Sequence, residues 1–496
     1  MATLYYLGMD VTGLEPLHFK YDFPRIEGKF PPMPHKIETA AFLNLFHRAY
    51  CTSTMRTGKT GAVAMALDYT RRHDLEGKKG AALIVAPLST LQGVWHYTLS
   101  TTLPWSSSVV VHHSKPTQRR ALLKAKHDYY IINYEGLVLL RKELEQKILD
   151  EEIQYLVLDE LTHYGNATSE RWRAAKALTK VKPMYIWGLT GTPGGNPLAV
   201  YGYSTLINPS VFPWQTLTAW RDQVMERWGM APWQVRERPM AKHLIHKVLQ
   251  PCVRFAKEQV IKNLPRVVFQ ARSCELSRPQ SQAIEELRQE CRTRLESGEV
   301  LTLQQKAQVA NKVFQIALGR VLVGADGKSE PVKATARVEL LREMVLENER
   351  KTVIFCAFRG VLEDRLVQLK DGKPKIKAAL IYGATSARER EAVFKRFQQD
   401  DDLKVLLAHP QTTAYGVELA EADQMIFDGP PLSGVQNYLQ ALERCQSARQ
   451  KSDSVAIVHL SATAEERRFF AALDERKTGA EAVADMFNTF IVGADE

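Results

Sequence analysis

The chain lacks paired cysteines. Its six, Cys51, Cys252, Cys274, Cys291, Cys356 and Cys445, are scattered, and none forms a CxxC pair. That excludes the common zinc and dithiol motifs and fits reduced thiols in a cytosol-like compartment. No apolar run reaches the roughly 18 residues that a membrane-spanning helix needs. The opening residues MATLYYLGMDVTG have no basic flank and no long apolar stretch, so no signal peptide is expected. Internal repeats and low-complexity tracts are missing as well, which removes solenoids and biased linkers from consideration. A cytoplasmic globular protein is the expectation.

What is present is enough chain for two or three domains: 496 residues, 45% hydrophobic and 25% charged. The formal net charge of +10 favours a polyanionic partner such as nucleic acid. A surplus of this size also serves plain solubility.

From about Pro31 to Pro213, short apolar runs alternate with helix-like segments. AALIVAPL (81–88), YYIINYE (129–135), IQYLVLDE (153–160) and MYIWGLTGTP (184–193) are β-branched or aromatic and end in polar or turn-forming residues. Such runs predict buried parallel strands with function at their carboxyl ends. From about Trp214 to Asn348 the spacing turns helical, as in RPQSQAIEELRQECRTRLES (278–297) and ARVELLREMVLEN (336–348). GADGKSEP (324–331) is expected as a turn or loop. Strand-like runs return at 351–358, 378–383, 403–409, 422–431 and 454–460. The fold class is therefore α/β, with two lobes of parallel sheet flanked by helices and a mostly helical segment between them. The expected boundaries are an N-terminal extension at 1–30, a first lobe at 31–213, a helical insertion at 214–348 and a second lobe with C-terminal helices at 349–496.

Three stretches carry chemistry. STMRTGKT (53–60) ends in Gly58, Lys59 and Thr60, preceded by a strand-like RAYC and followed by a good helix. A phosphate cradle needs inward N–H groups at a helix N-terminus, a lysine and a hydroxyl for Mg²⁺. The opening glycine of the usual pattern is replaced by Ser53, so a chance tripeptide at a helix start competes with the cradle. YLVLDE delivers Asp159 and Glu160 at a strand end, suited to holding Mg²⁺ and to orienting or deprotonating water. The competing reading is an acidic cap for the next helix. GLTGTP (188–193) places Thr190 and Thr192 at another strand end, and also suits a plain turn. The order and separation of the first two, GKT and then the apolar run ending in Asp159 and Glu160 about 100 residues later, make their joint coincidence improbable.

The series resembles the Swi/Snf-like branch of superfamily 2 helicases, the ATP-driven translocases on double-stranded DNA. LIVAPLSTLQGVW (83–95) is similar to that family's motif Ia, IINYEGL (131–137) to motif Ib and DELTHYGNATSERWRAAKAL (159–178) to its extended acidic motif II. GLTGTPGGNPLAVYGYSTLINPSVF (188–212) resembles the motif III region almost throughout. In the second half, LQPCVRFAKEQVIKNLP (249–265) resembles the end of the helical insertion, VIFCAFRGVLEDRL (353–366) motif IV and IYGATSARERE (381–391) the element after it. TTAYGVELAEADQMIFDGPPLSGVQNYLQALERCQSARQ (412–450) resembles motifs V and VI together. The likeness runs from about residue 31 to 460, in a compact form more like phage or bacterial members.

The resemblance implies two RecA-like lobes, ATP with Mg²⁺ between them, and DNA, duplex or branched, across both. Lys59, Asp159, Glu160, Arg444 and Arg449 are the implied catalytic residues, with Thr60 and Asp159 on the metal. The nucleotide would meet Lys36, Met55, Arg56, Thr57, Gly58, Lys59, Thr60, Thr192, Gly416 and Gln440, and DNA would meet Ser89, Thr90, Thr412 and Thr413. Implied too are a monomer in bacterial or host-cell cytoplasm, translocation on DNA, and work alongside replication or recombination proteins. Two alternatives stay open: a nucleic-acid-binding module with a degenerate ATP site, and the motor of a restriction or defence assembly.

Four positions depart from the family pattern. Lys36 stands where a glutamine usually contacts adenine, and Thr162 where motif II has histidine, with His163 one place later. Ser447 replaces the last arginine of motif VI, so that Arg449 or Arg444 supplies the finger, or neither does and hydrolysis is slow. Against the loop pattern acidic-acidic-Met-Gly-x-Gly-Lys-Thr, Ser53 is no defect, and the odd residue is Arg56 in place of glycine.

Overall fold

Burial on both faces explains why the strands read as nearly unbroken apolar runs. In β2 (Ala81–Val85) and β4 (Tyr129–Ile132) every residue is buried. Alternate residues feed two different cores. Leu83, Val85, Leu156 and Leu158 face one, while Ala82, Ile84, Ile131 and Val157 face the other.

The computed structural model describes residues 32–73, 80–191, 193–194, 196–227, 235–260, 264–297, 301–323, 328–413, 419–432, 435–442, 444–445, 450–475, 486 and 490–491. By internal contacts the chain divides into two units, Met1–Lys262 and Asn263–Glu496.

The first unit is built on a seven-stranded sheet. Its strands are β1 (Arg48–Cys51), β2, β3 (Ser108–Val110), β4, β5 (Ile153–Leu158), β6 (Tyr185–Leu189) and β9 (Cys252–Val253). They lie in the order β3-β4-β2-β5-β6-β1-β9 and every pairing is parallel. All strand carboxyl ends therefore share one edge. That edge carries the loop after β1, the turn after β2, Asp159 and Glu160 after β5, and Thr190 after β6. Two short strands, β7 (Met225–Arg227) and β8 (Val235–Glu237), form a separate antiparallel pair.

The second unit repeats the plan: a RecA-like sheet with its strand ends on one edge. Its strands are β10 (Arg266–Ser273), β13 (Lys351–Phe355), β14 (Ala378–Ile381), β15 (Val405–Ala408), β16 (Ala422–Asp428) and β17 (Ser454–Ser461), in the order β10-β17-β16-β13-β15-β14, all parallel. Here too alternation splits the core: Val353 and Phe355 face one side, Ile354 and Cys356 the other.

The stretch 214–348 is shared between the units. Helices Leu217–Val224 and Ala241–Val248 pack Trp220 and Ile245 into the first unit's core, and β9 extends its sheet. From Asn263 onward, β10 and the helices Arg278–Glu296, Leu303–Leu318 and Thr335–Glu347 belong to the second. The loop expected over 324–331 is corrected in its last four residues. Lys328–Pro331 forms β12, paired antiparallel with β11 (Arg320–Val323). Gly319, in the left-handed region at φ 96°, ends the preceding helix, and its carbonyl accepts from Val332 N at 2.8 Å, closing this hairpin.

Candidate active site

The loop after β1 is held from behind by the chain around β9. Thr52 N donates to Val253 O and Thr54 N to Phe255 O, both at 2.9 Å. The Ser53 hydroxyl accepts from Phe255 N at 3.0 Å, and the Thr54 hydroxyl accepts from Lys257 N at 2.7 Å. A glycine at 53 would lose one of these anchors, which gives Ser53 a structural reason to be there. From the front, His35 Nε2 lies 2.7 Å from Thr57 O.

The loop turns through two left-handed residues, Arg56 at φ 66° and Gly58 at φ 81°. The helix Lys59–His73 follows at once, so its free N–H groups point back over the loop. Lys59 Nζ donates to Ser53 O at 2.6 Å and to Thr54 O at 3.0 Å, keeping its charge inside the curl of the loop. At Gly58 an added Cβ would come within 2.3 Å of Lys36 Cε and 2.8 Å of its Nζ, so the lysine stem would have to move, and the left-handed φ would be strained. Gly191 lies as close to Met55, whose Cγ would be 2.7 Å from a Cβ there. Thr60, half-buried, is the second residue of the helix.

Two strands away, the acids stand at the end of β5. Asp159 Oδ2 accepts from the Trp95 indole at 2.8 Å, and Oδ1 from Glu160 N at 3.0 Å. Glu160 adopts φ 54°, and its Oε1 accepts from the Thr162 hydroxyl at 3.0 Å and, at the limit of 3.5 Å, from Thr190. Burial pushes both carboxyls above their ordinary values, and Glu160 is raised further by Asp159. The Lys59 ammonium pulls both back down, as do the Trp95 bond on Asp159 and the threonine bonds on Glu160. Lys59 thus acts electrostatically on both carboxyls, and Asp159 on Glu160.

His163 does not join them. Its ring packs on Tyr134 at 4.7 Å, with Arg171 3.3 Å from its Nδ1. Burial first, then Arg171, lowers its pKa to about 4, so the imidazole is neutral. Tyr134 in turn donates to Asp159 O at 3.0 Å, bracing the strand end.

Trp95 lies within the stretch that resembles motif Ia, and nothing in the sequence marks it as a partner of Asp159. Its aim depends on a π-helical turn, Leu91–His96, which no local pattern announces. That turn follows the short helix Leu88–Thr90, where DNA contacts were expected. The Thr90 hydroxyl donates to Pro87 O at 2.9 Å, and the residue is nearly buried. Thr412 repeats this after β15, donating to His409 O at 2.7 Å. Both hydroxyl protons are thus engaged locally, and a phosphate at either turn would need other donors. The backbones of Ser89 and Thr413 lie in these same short helices. In the second unit Gln440 is buried on the helix Val435–Leu442, and Arg444 follows that helix, half-buried. Thr192, Gly416, Ser447 and Arg449 lie outside the described residues, as do the side chains of Ser89 and Thr413.

The SNF2-related domain family matches residues 38–321, and the helicase conserved C-terminal domain matches residues 336–449. The chain belongs to the SNF2-related family. It is an ATP-hydrolysing superfamily 2 enzyme. The TATA-binding protein-associated factor mot1 of Schizosaccharomyces pombe is 25% identical over 489 residues, covering 83% of this chain and 24% of that protein. Its counterpart MOT1 of Saccharomyces cerevisiae is 23% identical over 492 residues, covering 83% and 25%. The Caenorhabditis elegans homologue of SWI/SNF-related matrix-associated actin-dependent regulator of chromatin subfamily A-like protein 1 is 25% identical over 396 residues, covering 77% of this chain and 52% of that one. The chain thus spans about a quarter of the length of the two yeast relatives. Among solved structures, the Sulfolobus solfataricus SWI2/SNF2 ATPase core in complex with dsDNA is similar at a TM-score of 0.42 and 19% identity, over 96% of each chain. The ATPase core domain of the same organism gives 0.40 and 20%, over 93% of this chain and 90% of that one. These relatives are eukaryotic and archaeal, and do not bear on the phage or bacterial type expected from the motifs.

Proposed function

We propose that this SNF2-related chain is a DNA-dependent ATPase that translocates on double-stranded DNA, in the service of replication, recombination or repair. The observation that carries the reading is the mutual electrostatic grip of Lys59, Asp159 and Glu160 at one edge of the first sheet. Phosphate binding there makes use of the loop N–H groups, Lys59 and the helix N-terminus. Glu160, held by Thr162 and raised in pKa, is suited to orient and deprotonate the attacking water.

Mg²⁺ fits the oxygen donors present. Among the described residues no cluster of three His, Cys, Asp or Glu could cage a metal. Mg²⁺ is usually held by one or two carboxylates plus substrate phosphates, which matches Asp159 and the Thr60 hydroxyl. Bound there, it would neutralise charge on the phosphates. DNA as the stimulating partner is supported by the net charge of +10 and by the duplex in the archaeal relative's structure. Backbone contact without base reading predicts little sequence preference and strong salt dependence.

The test is ATP hydrolysis with duplex, single-stranded, forked and four-way DNA and with RNA, paired with displacement of a triplex-forming strand from duplex. Duplex should stimulate the parent and displace the third strand, and Lys59→Ala should abolish both. ATP hydrolysis indifferent to every nucleic acid would overturn the reading.

A further inference from the structure

Lys36 lies over the loop that turns at Gly58. Its stem and ammonium lie against the face of Gly58, where a Cβ would come within 3.3 Å of Cδ as well as of Cε and Nζ. Its neighbour His35 is tied to Thr57 O at 2.7 Å, so the start of helix Pro34–Leu45 is pinned to the loop. Among the described residues the Lys36 ammonium has no hydrogen-bond acceptor and no carboxylate partner. Lys59 differs, because its ammonium already rests on two loop carbonyls. A cation drawn out of water with no partner among the described residues is costly and suits an incoming anion.

We propose that Lys36 is a second phosphate-binding lysine of the nucleotide site, gripping the polyphosphate rather than the base. Partial burial lowers its pKa, the direction expected of an ammonium awaiting a counter-charge. The chemistry of the group sets the specificity. An ammonium only donates, whereas the adenine edge offers a donor beside an acceptor and is matched by an amide side chain. Lysine makes no paired donor–acceptor match with the adenine edge, so the grip of Lys36 on the polyphosphate is the same whatever the base.

This inference rests on the nucleotide reading of the loop, and the experiment separates the two. Steady-state hydrolysis of ATP, GTP, CTP and UTP is measured on duplex DNA for the parent, Lys36→Met, Lys36→Arg and Lys59→Ala, with inorganic tripolyphosphate as competitor. In the parent the four nucleotides should give kcat/KM values within a few-fold of each other. Lys36→Met should raise KM for all four alike, roughly tenfold or more for the loss of a charge-assisted bond, and weaken tripolyphosphate inhibition equally. Lys36→Arg should restore most of it. Amine-acylation footprinting of the parent needs no variant to fold: tripolyphosphate should protect Lys36. Unchanged KM in Lys36→Met, absence of protection, or strong adenine preference in the parent overturns the role of Lys36. Full activity in Lys59→Ala would instead overturn the loop as the nucleotide site.

Discussion

Each sheet ends a central strand in an aspartate, and the two aspartates live differently. Asp159 follows β5, between β2 and β6, and Asp428 ends β16, between β13 and β17. Both oxygens of Asp428 accept from arginine, Arg337 Nε at 2.7 Å and Arg365 Nε at 2.8 Å. Arg337 is itself tied to Glu466 at 2.9 and 3.2 Å and to Leu460 O at 2.8 Å. All four charged groups are essentially out of solvent. Burial pushes the Asp428 carboxyl up, but the two arginines outweigh it and hold the pKa below the ordinary value. Asp159 has an indole, one backbone N–H and, among the described residues, no ion pair, and burial keeps its pKa above the ordinary value. Each carboxylate oxygen can accept two bonds. One site is held by charged, fixed partners and serves architecture. The other keeps acceptor capacity in reserve, as the proposed metal and nucleotide site requires.

That contrast is broken most directly by removing each charge. Glu160→Gln should cut ATP hydrolysis about 10²–10⁴-fold, the usual worth of a general base. It should not lower the melting temperature at pH 8. The sign follows from the raised pKa of Glu160: such a group stabilises the fold below its unfolded pKa and loses that contribution as pH rises through the folded value. The parent's acid limb of kcat/KM should accordingly lie above the ordinary glutamate range. Asp428→Asn should do the reverse. Breaking a buried pair costs about 3–5 kcal/mol, read by denaturant unfolding. Because the Asp428 pKa is depressed, its contribution is present above the unfolded value and fades as pH falls through the folded one. A fully stable Asp428→Asn, or a destabilised Glu160→Gln, would erase the distinction between the two strand ends.

Trp95→Phe sharpens the comparison at smaller scale. It removes the indole donor from Asp159 while leaving the ring. Partners that orient a metal ligand are typically worth 10–100-fold, so the Mg²⁺ concentration for half-maximal ATP hydrolysis should rise by about that factor. Asp428, fixed by arginines, has no comparable dependence on a single neutral donor.

The sequence made one aspartate conspicuous and hid the other. YLVLDE announces Asp159 because an apolar run ends in acid. FDGPP ends the same way at Asp428, but Arg337 looks like the polar face of an ordinary amphipathic helix, and its partners Asp428 and Glu466 are 91 and 129 residues away. Strands covered on both faces, such as β2 and β13, were legible as apolar runs. The edge strand β10 was not, because RVVFQARS is largely exposed and mixes charge with apolar residues. The glycine-lysine-threonine of the loop was legible too. What was not was the company it keeps: Lys36 over Gly58, and Trp95 turned onto Asp159 by a π-helical turn.

The backbone extends the same contrast. Among the described residues, positive φ in the second unit occurs only at Gly319 and Gly429, whereas the first unit has it at Arg56, Glu151 and Glu160 as well as at glycines. Two of those three, Arg56 and Glu160, flank the proposed nucleotide site. A side chain in the left-handed region costs on the order of 1–3 kcal/mol, stored where surrounding structure imposes it. At Arg56 glycine would relieve that strain while giving back about 0.4–1 kcal/mol through a looser unfolded chain. Arg56→Gly should therefore stabilise the protein by about 1 kcal/mol, whereas Arg56→Ala, which keeps the Cβ, should not. Both should weaken ATP binding to the same degree if the guanidinium faces the phosphates. Equal stability of the two variants would mean that the turn at Arg56 holds no strain, and that the two units differ in their side chains alone.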